Sequence, residues 1–204
     1  MSSTAAVPMA AEQALLAASH RRLFAAIEGM DDDVARRPSR LPGWSVGHVL
    51  THLARNADSM TRRLAGAARD EVVDQYPGGA EERAAEIEAG AGRSAAELVT
   101  DVRESALACE RVAADLPDDA WDRLARSVGG QLHTMRRVLE GRIREVELHH
   151  VDLGLGYEPA DWPRDFARAE LDRALAHMTE RLDPAELLGW LSGRGPAPEL
   201  PPWP

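Results

Sequence analysis

The sequence contains no lysine, since all 24 basic residues among its 204 are arginine. That absence excludes Schiff-base chemistry, a Walker A phosphate loop and a lysine general base. Cysteine is reduced to Cys109 alone, so no intramolecular disulfide can form and a reducing, cytoplasmic setting is expected. No apolar run approaches the ~20 residues that a membrane span needs. The polar N-terminus lacks the basic and apolar regions of a signal peptide, and no membrane partner is expected. Positive charge is also in deficit, with 34 acidic residues against 24 basic ones and a net charge of −10. Such a chain gains nothing from counterion release on nucleic acid, which argues against DNA or RNA as a partner. Chemistry is left to His, Asp, Glu, Arg and one thiol.

Strand-type alternation is missing too, and the helical period dominates. Long amphipathic helices are predicted over residues 9–28, 45–67, 94–116 and 134–152. Leu15, Leu16, Leu23, Phe24 and Ile27 line the first, and Val46, Val49, Leu50, Leu53, Met60 and Leu64 the second. Ser45 and Ser94 are N-cap candidates. Shorter helices are expected at 82–89, 164–182 and 184–191, and the tail from 195 to 204 has five prolines and reads as irregular. Four long helices joined by loops predict an all-α chain built as an antiparallel four-helix bundle. Residues 1–160 would form this bundle, and 161–204 a short helical C-terminal extension ending in the proline-rich tail.

Of seven histidines, His20 and His177 lie among surface-type neighbours and read as bland. The informative segment is Arg144-Glu145-Val146-Glu147-Leu148-His149-His150-Val151-Asp152. Glu145 and His149 are four apart, so both project from one helical face and can grip one metal ion. Val138, Arg142 and Asp152 extend that face, which turns polar toward the helix end as an interior site requires. Glu147 and His150, three apart, are a competing pair on another face. The plainer reading is an ordinary exposed pair worth only ~0.3 kcal/mol. In the second helix His48 and His52 are again four apart, and one of them would complete a two-histidine, one-carboxylate site suited best to zinc. Spacing leaves the choice between them open.

Two segments carry a family resemblance. Leu41-Pro42-Gly43-Trp44-Ser45-Val46-Gly47-His48-Val49-Leu50-Thr51-His52-Leu53-Ala54 is one, and the stretch from Arg144 to Tyr157 is the other. Together they resemble the mycothiol-dependent maleylpyruvate isomerase family, within the DinB-like superfamily of metal-binding four-helix bundles. The likeness extends with lower density from about Ala10 to Pro163. It implies His52, Glu145 and His149 as ligands of a divalent metal, normally zinc, and mycothiol or a similar low-molecular-weight thiol as cofactor. The implied reaction is cis–trans isomerisation of maleylpyruvate to fumarylpyruvate through a metal-bound thiolate. It further implies Arg83, after the Tyr-Pro-Gly stretch, and Arg194, near the C-terminus, as partners of substrate carboxylates. Family members usually carry a second, smaller α/β domain after the Asp-Trp-Pro turn. Only 41 residues (204 − 163) follow Pro163, so that domain's strand-rich middle has no counterpart and the extension reads as truncated.

Other residues have simpler readings. Cys109, mid-helix among Leu107, Ala108 and Val112, is expected as a buried structural thiol. The five tryptophans, 44, 121, 162, 190 and 203, mostly mark turns and would seal the bundle's ends. Asp31-Asp32-Asp33 lacks the pattern of a calcium loop and reads as a solvated helix start. Asp152 is expected to hydrogen-bond a ligand imidazole or a metal-bound water. Three functions follow: a metal- and thiol-dependent isomerase or S-transferase, a metal-dependent hydrolase or amidase of a thiol conjugate, or a non-catalytic metal-binding bundle. The expected partners are a small acidic substrate and a thiol, with the protein a monomer or homodimer.

Overall fold

The computed structural model describes residues 9–199, so Trp203 and the last five tail residues lie outside the described residues. Contacts divide the chain into two compact units, Met1–Pro159 and Ala160–Pro204.

In the first unit the long helices are α1 (Ala10–Ile27), α3 (Val46–Ala68), α5 (Ala95–Ala114) and α6 (Met135–Asp152), with short α2 (Asp32–Arg36) and α4 (Gly79–Ala91) between them. Capping side chains set their starts. Ser45 and Ser94 each open a capping box, with His48 and Glu97 reaching back to the cap backbone. Thr134 accepts from Arg137 N and starts α6, and Asp31 accepts from Val34 N and starts α2. The helix start read at 31–33 thus opens a five-residue helix.

The long helices close a ring in which α1 and α3 each pack against both α5 and α6, the four-helix bundle that the periodicity predicts. Leu16, Leu23 and Ile27 from α1 meet Leu50, Leu53, Met60 and Leu64 from α3 in the core. Leu98, Val102 and Cys109 of α5 and Met135, Leu139 and Val146 of α6 complete it. Each fully buried leucine or valine contributes roughly 1.5–3 kcal/mol relative to exposure. Cys109 is buried as expected, and burial pushes its thiol up to about 11.

Helix α4, longer than the expected 82–89, lies on α3. Gly47 permits this approach, because a Cβ there would stand 2.2 Å from the Ala91 carbonyl oxygen. Between α5 and α6 lies a small hairpin, β1 (Leu124–Arg126) antiparallel to β2 (Leu132–Thr134), with Gly130 at φ +85° in its turn. Three-residue strands are too short to show alternation, and β1 also exchanges backbone hydrogen bonds with Val73 and Gln75 after α3. Trp121 is buried in a 3-10 turn, Asp118–Asp122, beside the start of α6.

In the second unit, α7 (Arg164–Arg181) and α8 (Pro184–Leu191) occupy the predicted segments, with Asp183 capping α8. Among the described residues no helix is long and apolar enough to cross a membrane.

The Ser94 cap lies away from the histidine cluster and isolates one contribution to stability. Ser94→Ala should lower the unfolding free energy by about 1 kcal/mol, read as a reduced urea midpoint with an unchanged slope.

Candidate metal centre

Helix α3 and helix α6 face each other with His52 on one and Glu145 and His149 on the other. His52 Nε2 stands 2.7 Å from Glu145 Oε2, and His149 Nε2 stands 3.3 Å from the same oxygen. The two imidazoles meet nearly edge-on, with ring centroids 4.7 Å apart. One ligand atom from each of the three residues lies within 4.8 Å of the other two. His52 is buried, whereas Glu145 keeps 34% of its side-chain surface, so the cluster is open on the glutamate's side.

Helical geometry explains why these residues meet and their neighbours do not. At about 100° per residue, Glu145 and His149 share a face and Glu147 points almost oppositely. Glu147 is accordingly buried against α1, where it accepts from Ser19 and Arg22 and from the Tyr157 hydroxyl at 2.6 Å. The His150 ring stacks on Tyr157 at 3.8 Å. The competing Glu147/His150 pair therefore belongs to a packing network. His48 is occupied as well: its Nδ1 serves the Ser45 cap, and its Nε2 lies 3.2 Å from Glu88. His52 is the histidine of α3 that reaches Glu145.

The surroundings set the charges. Burial alone would raise the Glu145 carboxyl, but hydrogen bonds from His149 and His52 hold it well below the ordinary range. Burial alone would lower His149, but Asp152 and Glu145 hold its proton and raise it to about 9. Asp152 Oδ2 is 2.8 Å from His149 Nδ1, so it engages an imidazole of the cluster as expected. Burial lowers His52. Its Nδ1 accepts from Arg83 Nη2 at 3.1 Å, which leaves its proton on Nε2, facing Glu145. Of the two arginines expected at the site, Arg83 is thus brought to His52 by α4. Arg194 follows α8 in the second unit, exposed and donating to the Ser192 carbonyl at 2.9 Å.

Several neighbours were not anticipated. The Trp44 ring centroid lies 5.7 Å from that of His52 and 6.1 Å from that of His48, so this tryptophan covers the histidines instead of a bundle end. His20, expected at the surface, is fully buried. Its Nδ1 donates to Glu110 at 2.6 Å and its Nε2 accepts from Arg142 at 3.3 Å, and burial lowers it to about 4. Below His52, α3 carries Asn56, Ser59 and Arg63, all buried. Their 4-3-4 spacing was a visible helical stripe, masked by its polar composition.

Residues 16–154 match the family described as Mycothiol maleylpyruvate isomerase N-terminal domain. No curated protein matches the sequence. Among solved structures, the crystal structure of the mycothiol-dependent maleylpyruvate isomerase is similar at a TM-score of 0.75 and 24% identity, covering 82% of this chain and 70% of that one. A mutant of that enzyme with one histidine replaced by alanine gives a TM-score of 0.75 at 23% identity, with the same coverage. At such identity the likeness to these structures is one of fold. The sequence match is broader in meaning, since it spans most of the bundle and includes both helices that bear the clustered histidines. On that match, the chain belongs to the mycothiol maleylpyruvate isomerase family.

Proposed function

We propose that the chain is a metal- and thiol-dependent isomerase or S-transferase acting on a small acidic electrophile, with maleylpyruvate as the substrate that family membership suggests. The observation that carries this reading is the convergence of His52, Glu145 and His149 on one point with an open side. The donor set fits a divalent ion, zinc best, as two imidazoles and one carboxylate leave a coordination position for an exogenous group. Such an ion, when bound, lowers the pKa of a thiol in that open position. The thiol supplies a nucleophile whose reversible addition to a cis alkene permits rotation to the trans isomer.

The chain's own residues prepare this chemistry. Asp152 holds Nδ1 of His149 and so turns Nε2 toward the cluster. His52 would hold the ion through Nε2 and would then carry its proton on Nδ1, the atom to which Arg83 donates at 3.1 Å. In that state Arg83 would give up this contact, and its guanidinium would be available to a substrate carboxylate. The protein offers no nucleophile of its own here, because Cys109 is buried with a raised pKa and lysine is absent. A reducing cytoplasm would supply the thiol. The role implied for Arg194, as a second carboxylate partner, belongs to the same proposal.

His149→Ala should lose most of a metal content of about one ion per chain while staying helical, whereas His150→Ala should retain it. Elemental analysis beside circular dichroism checks both, and the opposite pattern would reverse the assignment. Asp152→Asn should weaken metal affinity about 10-fold.

Metal affinity should depend on pH in one direction. His149 holds a proton below about pH 9, and an ion must displace it. Apparent affinity should therefore rise about tenfold per pH unit between roughly pH 6 and 8, measured by competition with a chelator of known pH dependence. A flat profile would show that His149 is not a ligand.

Isomerisation or S-conjugation should require a low-molecular-weight thiol, and Arg83→Ala should raise KM for an acidic substrate about tenfold with metal content intact. Full turnover in thiol-free buffer would instead support a metal-dependent hydrolase.

A further inference from the structure

Bordering Glu145, the first unit contains a cavity of about 190 Å³ lined by four arginines, 63, 137, 142 and 144, with Glu145 as the one carboxylate. Two of these cations are interior. Arg142 is 2% exposed and Arg63 is 7% exposed. Arg142 donates to the Leu53 carbonyl at 2.8 Å, to Asn56 Oδ1 at 3.0 Å and to His20 at 3.3 Å. These neutral acceptors fix the guanidinium without balancing its charge. Arg63 reaches only Ser59, at 3.3 Å to the carbonyl and 3.4 Å to the hydroxyl. Its Nη1 has no acceptor, and neither arginine has a carboxylate within ion-pair distance, among the described residues.

Burying a charge without a counter-charge is unfavourable. Here burial draws Arg63 down to about 10 and lowers Arg142 as well. Glu145 is the nearest compensation, and an ion held by the cluster would consume its charge and leave the cavity with a larger positive excess. We propose that this cavity seats a carboxylate group of the substrate, with Arg63 as its principal partner and Arg142 as the fixed charge behind it. This rests on the reading that a substrate is brought to the metal centre.

The dimensions agree with a small acid. The volume of about 190 Å³ would hold about six waters at their liquid share of ~30 Å³ each, or one short dicarboxylate. Arg137 pairs with Glu140 at 3.3 Å, so the uncompensated charge beside the cavity is that of Arg63 and Arg142; an uncharged thiol or sugar makes no use of it, and an acidic electrophile does. Arginine's planar fork accepts a carboxylate in a bidentate geometry, and the unpartnered Nη1 of Arg63 leaves that fork half available. Gln75 and Ser127 on the same lining offer further polar contacts.

The test uses the metal-loaded, full-length chain without thiol, titrated calorimetrically with maleate and with its uncharged analogue maleamide. Maleate should bind one per chain, and maleamide about tenfold more weakly or worse. Arg63→Met, which keeps the volume and removes the buried charge, should weaken maleate about tenfold or more with metal content and circular dichroism unchanged. Equal maleate affinity in Arg63→Met, as coordination to the metal alone would give, would overturn the proposal. So would maleamide binding as tightly as maleate, a comparison that depends on no substitution. Thiol-dependent turnover without Arg63-dependent maleate binding would remove the cavity's role and leave the functional reading standing. Arg63-dependent maleate binding with turnover that ignores thiol would do the reverse.

Discussion

The distance between His52 and Glu145 depends on how far α6 is slid along α3, and that register is held by a buried guanidinium. Arg142 lies three residues before Glu145 and donates to the backbone of Leu53, the residue after His52, and to the side chain of Asn56. A slip of one helical turn, about 5.4 Å, would carry Glu145 out of hydrogen-bond reach of His52. Apolar packing alone specifies such a register weakly, because leucine and valine layers interdigitate at more than one offset. A directional bond to a main-chain carbonyl admits one. His20 accepts from Arg142 and donates its own proton to Glu110, which fixes the imidazole's tautomer.

The two Glu–His pairs of α6 show how one helix separates structure from chemistry. Glu147 and His150 are the more buried pair, and Glu147 accepts from Ser19 and Arg22 of α1 and from Tyr157. Glu145 and His149 face α3, retain partial exposure, and share one oxygen between two imidazoles. The distinction lies in what each carboxylate meets, hydroxyl and guanidinium donors in one case and two imidazole nitrogens in the other.

Much of this was legible in the residues. Periodicity located all four long helices within two or three residues, because their apolar stripes are long and their caps, Ser45, Ser94 and Thr134, are strong. Helical spacing also put Glu145 and His149 on one face, with Glu147 and His150 left as a competing pair. The hairpin at 124–134 was not legible, since strands this short are decided by tertiary hydrogen bonds such as those from β1 to Val73 and Gln75, whereas the acidic run at 31–33 did mark the start of α2. Spacing could not separate His48 from His52, because both nitrogens of His48 are taken up by partners, Ser45 and Glu88, that only the folded chain supplies. Arg63 and Arg142 sat in plain view, on the polar stripes that run through His52 on α3 and Glu145 on α6. Charged residues in such positions are usually assumed to turn outward, and only the packing of α3 on α6 shows that these two stay inside.

The absence of lysine gains a physical meaning at these interior positions. A lysine buried as deeply as Arg63 or Arg142 would shed its proton near neutral pH, since desolvation can lower an ammonium by several units. Arg63, drawn down to about 10, still carries its charge. The chain as a whole bears −10, a field that opposes the approach of an acidic ligand, but exposed charges are screened beyond about 8 Å at physiological ionic strength. Inside the bundle that screening is lost, and two guanidinium groups close to the cavity act at full strength. An acidic surface and a cationic interior are therefore compatible. The buried charges act only at short range, next to the ligands His52, Glu145 and His149 proposed for the metal.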